Sequence, residues 1–325
     1  MRSRRWVFIV TPLFALYLAS WIVLLPLYSI GPGPARDVAP LIRISGEPVY
    51  QSSGHFVMTS VHVQQLTPFG ALLAWLDPNQ AVVGRSTLYA PGETDRQEQR
   101  RAISQMDQSK LDAAYVVLKQ LFGYPRDHGD GVLIESVVPG CAADGELYPG
   151  DRIRSIDGTN VATVASASRL IRSAASGSTL TFDVTVDGKP QIVRLVRRPC
   201  GGSEKPLVGV SMIPSFPFPI SISSGDVGGP SAGLMWAITM YDLLTPGDLT
   251  GGRTIAGTGV IETDGRVDPI GGIAEKILAA RDAGADVVLL PKGNLAEARA
   301  TGGDGVRLVP VASFDQAVSW LRSNA

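Results

Sequence analysis

Histidine and cysteine are scarce in this sequence, which limits the metal chemistry that it can support. The 325 residues include three histidines, His55, His62 and His128, and two cysteines, Cys141 and Cys200. None of them stands at a metal-ligand spacing such as His-Glu-x-x-His or Cys-x-x-Cys. We therefore expect neither a metal site nor a metal cofactor.

Two further absences concern partners that carry phosphate. No Gly-x-x-x-x-Gly-Lys-Ser/Thr run occurs, so the sequence has no phosphate-binding loop of the P-loop type. The formal net charge is −1 and the basic residues are scattered, which disfavours a nucleic-acid surface. We expect no cofactor, no ATP and no nucleic acid among the partners. The length is sufficient for two modest folded domains.

Charge is also missing from segment 6–25, which follows the three arginines of residues 1–5. About 20 apolar residues suffice to cross a bilayer as a helix. We predict a single membrane anchor over residues 6–28, with residues 1–5 in the cytoplasm because the positive charges precede it. The rest of the chain would then lie outside the cytoplasm, at the cell membrane. A cleaved signal peptide is the alternative, although this stretch is longer than a usual signal core and lacks an Ala-x-Ala site.

The segment after the predicted anchor is rich in residues that break helices. The run Gly31-Pro32-Gly33-Pro34 cannot continue a helix, because proline lacks an amide donor and glycine costs backbone entropy. We predict a tether over residues 29–49. Farther along, residues 55–64 have the pattern of a strand, and residues 103–122 repeat apolar side chains at helical spacing.

Residues 126–200 form a small β-rich module in this interpretation. The predicted elements are a strand at 132–138, a helix at 164–175, and two strands at 179–186 and 191–197 joined by the hairpin signal Asp187-Gly188. Cys141 and Cys200 lie at opposite ends of the module. A disulfide between them would persist on the oxidising side of a membrane, but it requires α-carbons within about 7 Å. The sequence does not decide between a disulfide and two free thiols.

The module resembles a PDZ domain of the kind associated with bacterial proteases. The resemblance rests on the runs Val137-Val138-Pro139-Gly140-Cys141-Ala142-Ala143, Gly150-Asp151-Arg152-Ile153 and Ile156-Asp157-Gly158. It implies that an extended peptide adds to a strand beside the helix that begins near Val164. The expected peptide-binding residues are Gly131, Val132, Leu133 and Ile134. A spacer that binds nothing is the alternative.

Ser231 follows a short strand and a glycine-rich turn, and a helix-compatible stretch comes directly after it. A serine at a helix start is a favoured N-cap, because its hydroxyl satisfies free amides. A nucleophile in the same place gains from those amides and from the helix dipole, which stabilise an oxyanion. The turn alone leaves both roles open.

The surrounding motifs resemble the proteolytic domain of the Lon family. The runs that match are Gly229 to Gly233 around the serine and Pro269 to Lys276, in that order. The resemblance implies a Ser-Lys dyad in which Ser231 is the nucleophile and Lys276 is the general base. The supporting residues that it implies are Thr258, Gly229, Pro230 and Ala232. Val260 departs from the acidic residue common in ATP-dependent members, which indicates a membrane-anchored, PDZ-containing, Lon-like protease.

The lysine of such a dyad can accept the serine proton only if its amine is neutral. Burial lowers a lysine pKa because the charged form loses solvation, and Ile270, Ile273 and Ile277 surround Lys276 in sequence. Glu275 or Asp226 would oppose this by pairing with the ammonium, so we expect both to be structural or regulatory. A solvated surface lysine is the alternative.

These elements predict an α+β protein. Residues 206–325 would form the Lon-type α/β proteolytic domain, and residues 50–125 its N-terminal part, because Met106, Ser109 and Ala113-Ala114 resemble a helix of Lon-type domains. The PDZ module would then be an insertion in the peptidase fold. The resemblance also implies a homo-oligomer, with a ring of six subunits expected.

The functional hypothesis is an ATP-independent serine endopeptidase, anchored in the membrane, that cleaves extracytoplasmic proteins or peptides. The PDZ module would bind or present the substrate. Two alternatives remain: a non-proteolytic PDZ scaffold for membrane proteins, and a protease that processes only itself.

Overall fold

The computed structural model describes residues 11, 14, 16–127, 129–186, 188–301 and 305–325. Two sheets, each with its own core, account for most of the fold. The strands are β1 (Leu27–Asp37), β2 (Ile42–Ile44), β3 (His55–Gln65), β4 (Ala81–Gly84), β5 (Val132–Val137), β6 (Arg152–Ile156), β7 (Thr159–Asn160), β8 (Thr179–Val186), β9 (Lys189–Val196), β10 (Arg198–Cys200), β11 (Ser203–Leu207), β12 (Val210–Pro214), β13 (Ile220–Ile222), β14 (Thr254–Gly257), β15 (Val260–Ile261), β16 (Val267–Asp268), β17 (Val287–Pro291) and β18 (Arg307–Val311).

Helices cover both sheets. They are α1 (Pro68–Leu76), α2 (Arg85–Leu88), α3 (Asp95–Phe122), α4 (Val164–Ser173), α5 (Gly233–Leu244), α6 (Ile273–Asp282), α7 (Leu295–Ala300) and α8 (Phe314–Asn324). Short 3₁₀ turns occupy Ala39–Leu41 and Lys292–Asn294. In α5, every residue from Gly233 to Leu243 is buried, as a helix that is apolar on all sides requires.

The larger sheet combines strands from both ends of the chain. Its order is β18-β17-β14-β3-β1-β4. Strands β14, β17 and β18 run parallel to one another and to β3, whereas β1 is antiparallel to β3 and β4. Helix α3 packs against the central helix α5, and α6 packs on β1 and β3. Strands that precede and follow the β-rich module in sequence therefore form one sheet.

The smaller sheet has the order β12-β5-β6-β8-β9, with β7 beside β6. Its core is separate from that of the larger sheet and includes Ile134, Ile153 and Phe182. The predicted strands and helix of the module are confirmed within a few residues. Asp187 of the hairpin signal lies outside the described residues, as does His128. Cys141 and Cys200 form a disulfide, with their α-carbons 5.1 Å apart.

The long helix α3 confirms the helix predicted at 103–122 and extends it toward the N-terminus. It begins at a capping box, in which Thr94 and Gln97 satisfy each other's backbone amides. It ends at Gly123, whose φ of +67° is the left-handed conformation that terminates helices. The added turns consist of charged and polar residues, so apolar spacing alone did not reveal them.

The tether predicted for residues 29–49 is wrong in its first part, because residues 27–37 form strand β1 inside the larger sheet. The prolines are tolerated for two reasons. The register of β1 against β3 shifts between Pro32 and Ala35, and in the described chain β4 pairs only with residues 27–30. Proline is compatible with such irregular and edge positions. Leu27 and Tyr28, predicted as the end of the anchor, are also part of this strand.

No helix among the described residues is both long and apolar enough to cross a membrane. The anchor predicted at residues 6–28 falls partly on residues 1–10, 12, 13 and 15, which lie outside the described residues. Within the described part, residues 16–22 are helical.

Gly33 provides a test of the strand assignment. A Cβ there would lie 2.6 Å from the Ser60 hydroxyl and 2.9 Å from its carbonyl, whereas a Cβ at Gly31 would meet only the Gln80 side chain, at 3.5 Å. We expect Gly33→Ala to lower the free energy of unfolding by about 1–3 kcal/mol through overpacking. Gly31→Ala should be neutral or slightly stabilising, because it reduces the entropy of the unfolded chain. Urea unfolding of both variants measures this, and equal stability would contradict the close strand contact.

Candidate active site

The turn that carries Ser231 is held by helix α3, which lies far away in sequence. The Gly229 amide donates to the Ala102 carbonyl at 2.8 Å, and the Ser109 hydroxyl donates to the Pro230 carbonyl at 2.9 Å. A Cβ on Gly228 would come within 2.8 Å of Ala102, so glycine is needed for this approach. Two hydrogen bonds and a close backbone contact therefore fix the residues that immediately precede Ser231.

Lys276 lies in the first turns of α6, and its side chain is only 4% exposed. The helix begins after Gly272, whose φ of +68° is the left-handed region that favours glycine. A Cβ on Gly272 would lie 3.1 Å from Val61 of β3, so the chain approaches the sheet closely there. Ile273 and Ile277 of the same helix are buried in a cluster with Val57. The sheet thus positions α6 and shields its lysine from water.

The structure brings Ser231, Lys276 and Thr258 into one hydrogen-bonded group. Lys276 Nζ donates to Ser231 Oγ at 2.6 Å and to Thr258 Oγ1 at 3.0 Å. Thr258 Oγ1 in turn donates to the Ser231 carbonyl at 3.0 Å, and the Gly259 amide donates to the same carbonyl at 2.7 Å. Serine and lysine are therefore already in contact, and the threonine positions both.

Burial lowers the pKa of Lys276 to about 8, because the charged amine loses its hydration. Glu275, the preceding residue, is also buried. Among the described residues, however, no ion pair involves Lys276. Neither Glu275 nor Asp226 opposes the lowering of the lysine pKa. With a pKa of about 8, roughly a tenth of the amine is neutral at pH 7, and the fraction rises with pH. A neutral amine 2.6 Å from a hydroxyl oxygen is able to accept its proton.

The capping role for Ser231 does not agree with the structure. The N-cap of α5 is Ala232, and it makes no side-chain capping bond. Ser231 lies one residue earlier, and its hydroxyl accepts from Lys276 instead. The amides of Gly233 and Leu234 donate to the carbonyls of Pro230 and Gly259. Pro230 and Ala232, two of the predicted supporting residues, thus shape the backbone on either side of the serine.

A cavity of about 430 Å³ adjoins the serine turn at Pro230. Its lining comes from α3, from strand β5 of the smaller sheet and from the segment after β15, and includes Gln108, Ser109, Asp112, Glu135 and Glu262. Burial raises the pKa of Asp112 to about 6. The cavity therefore lies between α3, the smaller sheet and residues 260–263, beside the serine turn. No group of His, Cys, Asp and Glu side chains in the described residues is arranged to hold a metal ion.

The predicted peptide-binding residues Gly131, Val132, Leu133 and Ile134 are not at a free strand edge, so that prediction is wrong. Strand β5 lies between two partners, since Leu133 pairs with Ile213 of β12 on one side and with Arg152 of β6 on the other. Strand β12 has only β5 beside it in the described sheet, and helix α4 contacts it. The edge next to the helix therefore belongs to β12. Strand β12 (Val210–Pro214) lies in the range 206–325 predicted for the proteolytic domain, so the predicted end of the module at residue 200 is also wrong.

Sequence reasoning also missed what Ser109 and Ala102 do. Ser109 was identified only as part of a helix resemblance, and its hydrogen bond to the Pro230 carbonyl spans 121 positions. The available signal was its helical spacing from Met106 and Ala113, which predicts a place on the apolar face, where a buried hydroxyl requires a partner.

The low pKa of Lys276 predicts a pH dependence for the reaction of Ser231 with a serine-directed fluorophosphonate. The lysine must be deprotonated to accept the hydroxyl proton, so the labelling rate should rise about tenfold per pH unit below the pKa and level off above about pH 8. Lys276→Met should remove this dependence and most of the labelling, whereas Lys292→Ala, at an exposed position, should preserve both. A rate that is flat between pH 6 and about pH 9 in the parent protein would contradict a titrating base.

Comparisons with known proteins agree with the geometry. A family model for the Lon protease (S16) C-terminal proteolytic domain matches residues 220–318, and a PDZ-domain model matches residues 116–196. Among solved structures, the PDZ domain of an SdrC-like protein from Listeria monocytogenes is 23% identical, with a TM-score of 0.25, over 27% of this chain and 93% of that one.

Lon proteases are among the curated relatives. That of Roseiflexus castenholzii is 46% identical over 71 residues, which are 22% of this chain and 9% of the relative. Lon protease 1 of Thermus thermophilus is 49% identical over 69 residues, 21% and 8% of the two proteins. The mitochondrial Lon protease homolog of Debaryomyces hansenii is 36% identical over 100 residues, 30% and 9%. The matches span less than a tenth of each of these relatives. Together with the family matches, they show that this chain carries a PDZ domain and a Lon-type proteolytic domain, the domain of a serine-type peptidase.

Proposed function

We propose that this protein is an ATP-independent, membrane-anchored serine endopeptidase that cleaves extracytoplasmic proteins or peptides with Ser231 and Lys276. The observation that carries the proposal is the 2.6 Å hydrogen bond that joins Nζ of the buried Lys276 to Oγ of the half-buried Ser231. Serine is a weak nucleophile until a base accepts its proton, and no histidine takes part in the described hydrogen bonds around Ser231.

The first half of the reaction forms an acyl-enzyme. Neutral Lys276 accepts the Ser231 hydroxyl proton while Oγ attacks the peptide carbonyl carbon, whose oxygen becomes an oxyanion. In the described chain the Gly233 and Leu234 amides are already engaged, which leaves those of Ser231 and Ala232 as the nearest main-chain donors for the oxyanion. The intermediate collapses as the C–N bond breaks, and the lysine ammonium gives its proton to the leaving amine.

The second half releases the acyl group. Lys276, neutral again, accepts a proton from water while the water oxygen attacks the ester carbonyl. The ester bond then breaks, and Ser231 Oγ recovers the proton from the lysine. Thr258 binds Lys276 Nζ through its hydroxyl and keeps the amine directed at Ser231 in both steps.

Independence from ATP is supported by the sequence, which contains no P-loop run. The membrane anchor is supported by the uncharged segment 6–25 that follows three arginines. An anchor would end before Leu27, where β1 begins. The disulfide between Cys141 and Cys200 supports an oxidising, extracytoplasmic compartment. A homo-oligomer, with a ring of six subunits, is proposed from the family resemblance.

We assign substrate binding or presentation to the PDZ domain, inserted between α3 and the strands of the proteolytic domain. An extended peptide would add to the outer edge of β12, which α4 flanks. A non-proteolytic PDZ scaffold is a weaker candidate, because it gives no reason to bury a lysine against Ser231. A protease that processes only itself would use the same two residues.

The proposal is tested with the full chain in lipid nanodiscs and an unfolded protein such as casein, with and without ATP. The parent should cleave casein equally in both conditions. Ser231→Ala and Lys276→Met should each lose a factor of about 100 or more in rate, as expected when a nucleophile or its base is removed. Quantification of the cleaved casein by electrophoresis measures the rates.

Matched controls are Ser221→Ala and Lys292→Ala, which alter exposed residues of the same types and should cleave at the parental rate. Undiminished cleavage by Ser231→Ala or Lys276→Met would refute the dyad. Shortening of the parent chain beside intact casein would favour self-processing, and binding without any cleavage would favour the scaffold.

A further inference from the structure

Helix α1 exposes an unusual amount of apolar surface. Its outward residues are Leu72, Leu73, Trp75 and Leu76, and Trp75 and Leu76 are 75% and 64% exposed. Ala74 lies on the opposite side and is buried. The helix contains no charged residue, and Thr67 caps its start by accepting from the Gly70 amide. A folded, well-capped helix therefore presents leucine and tryptophan to its surroundings.

A second exposed apolar segment adjoins this helix. In residues 16–24, Leu16, Trp21, Ile22 and Leu24 are exposed. The Trp21 ring stacks on Phe69 of α1, with ring centroids 4.2 Å apart, and the Leu25 amide donates to the Leu66 carbonyl at 2.8 Å. The two segments thus form one continuous surface, which we call the apolar platform: the outward residues of α1 and the exposed residues of 16–24.

The composition of the apolar platform favours lipid over a second protein surface. Neither residues 66–76 nor residues 6–25 contain a charged side chain that would define the register of a protein partner. Exposed apolar patches of this kind mark interaction sites, and tryptophan is enriched at the interface between lipid and water. The uncharged stretch 6–25 is also long enough to enter a bilayer and is continuous in sequence with the platform.

We propose that the whole apolar platform contacts lipid: residues 16–24 lie within the bilayer as part of the anchor, and the outward face of α1 lies on the membrane surface, with Leu72, Trp75 and Leu76 inserted at the boundary between headgroups and acyl chains. This inference rests on the membrane anchor of the proposed function. It adds that the proteolytic domain itself contacts the bilayer surface, in addition to its covalent connection to the anchor. Helix α1 contacts β1 and β4, so the β4 edge of the larger sheet faces the lipid and β18 points away from it.

Lipid contact is measured on the full chain with a fluorescent label at Leu76→Cys. The native cysteines are joined in a disulfide, so the new thiol is labelled selectively with an environment-sensitive nitrobenzoxadiazole dye. The protein is reconstituted in vesicles of phosphatidylcholine and phosphatidylglycerol, with or without brominated acyl chains. The control is Ile192→Cys, an exposed apolar position (56%) on β9 of the PDZ domain. Leu72→Cys repeats the measurement if Leu76→Cys folds poorly.

We expect brominated lipid to reduce emission at position 76 by about twofold or more and to leave position 192 unchanged, because an interfacial helix places its apolar face some 5–10 Å into the boundary region. Vesicle flotation and casein cleavage are recorded on the same samples. If the protein floats but the label at position 76 is not quenched, the lipid contact of α1 is refuted while the anchor stands. If the emission of that label depends on protein concentration, a second copy of the chain covers α1 instead of lipid. If the protein does not float, both anchor and platform fail, and casein cleavage still reports separately on Ser231 and Lys276.

Discussion

The burial of one amine, that of Lys276, is the constraint on which the rest of the site depends. Its pKa falls from an ordinary 10.5 to about 8. One pKa unit corresponds to about 1.4 kcal/mol, so the shift costs the folded state about 3 kcal/mol below pH 8, and this cost fades as the pH rises toward 10.5. The same burial increases the neutral fraction of the amine, which is the form that the proposed base requires. Packing of α6 on β1 and β3 must therefore be firm enough to hold the amine away from water.

A second constraint is that the proposed nucleophile and its proposed base come from different parts of the chain. Ser231 follows a turn that Ala102 and Ser109 of α3 hold in place, whereas Lys276 is carried by a helix on the sheet. Thr258 joins the two, since it binds Lys276 Nζ and the Ser231 carbonyl at once. The 2.6 Å contact is thus the meeting point of α3, α5 and α6. Helix α3 precedes the PDZ domain in sequence, so the proteolytic fold requires residues from both sides of it.

The sequence predicted those features that depend on local pattern. The strands and helix of the PDZ domain follow from alternation and turn residues, and the contact between Ser231 and Lys276 agrees with two long motifs in order. Features that depend on distant partners were missed. Gly33 falls in the predicted tether but packs against Ser60, and β12 falls in the predicted proteolytic domain but pairs with β5. In each case the deciding contact is made by a segment that local periodicity does not reveal.

The same distant pairing determines how the PDZ domain relates to the serine. Strand β12 continues through residues 215–230 directly to Ser231, so the open edge of the smaller sheet and the nucleophile belong to one stretch of chain. That stretch is fixed along its length: the Tyr124 hydroxyl donates to the Pro214 carbonyl at 2.6 Å, and Phe122 contacts Phe218 edge-on. Phe122 is the last residue of α3, the helix that also holds the serine turn, and Tyr124 follows it by two residues. A peptide added to β12 would therefore bind a strand that is joined to the serine turn by a segment packed against residues at the end of α3.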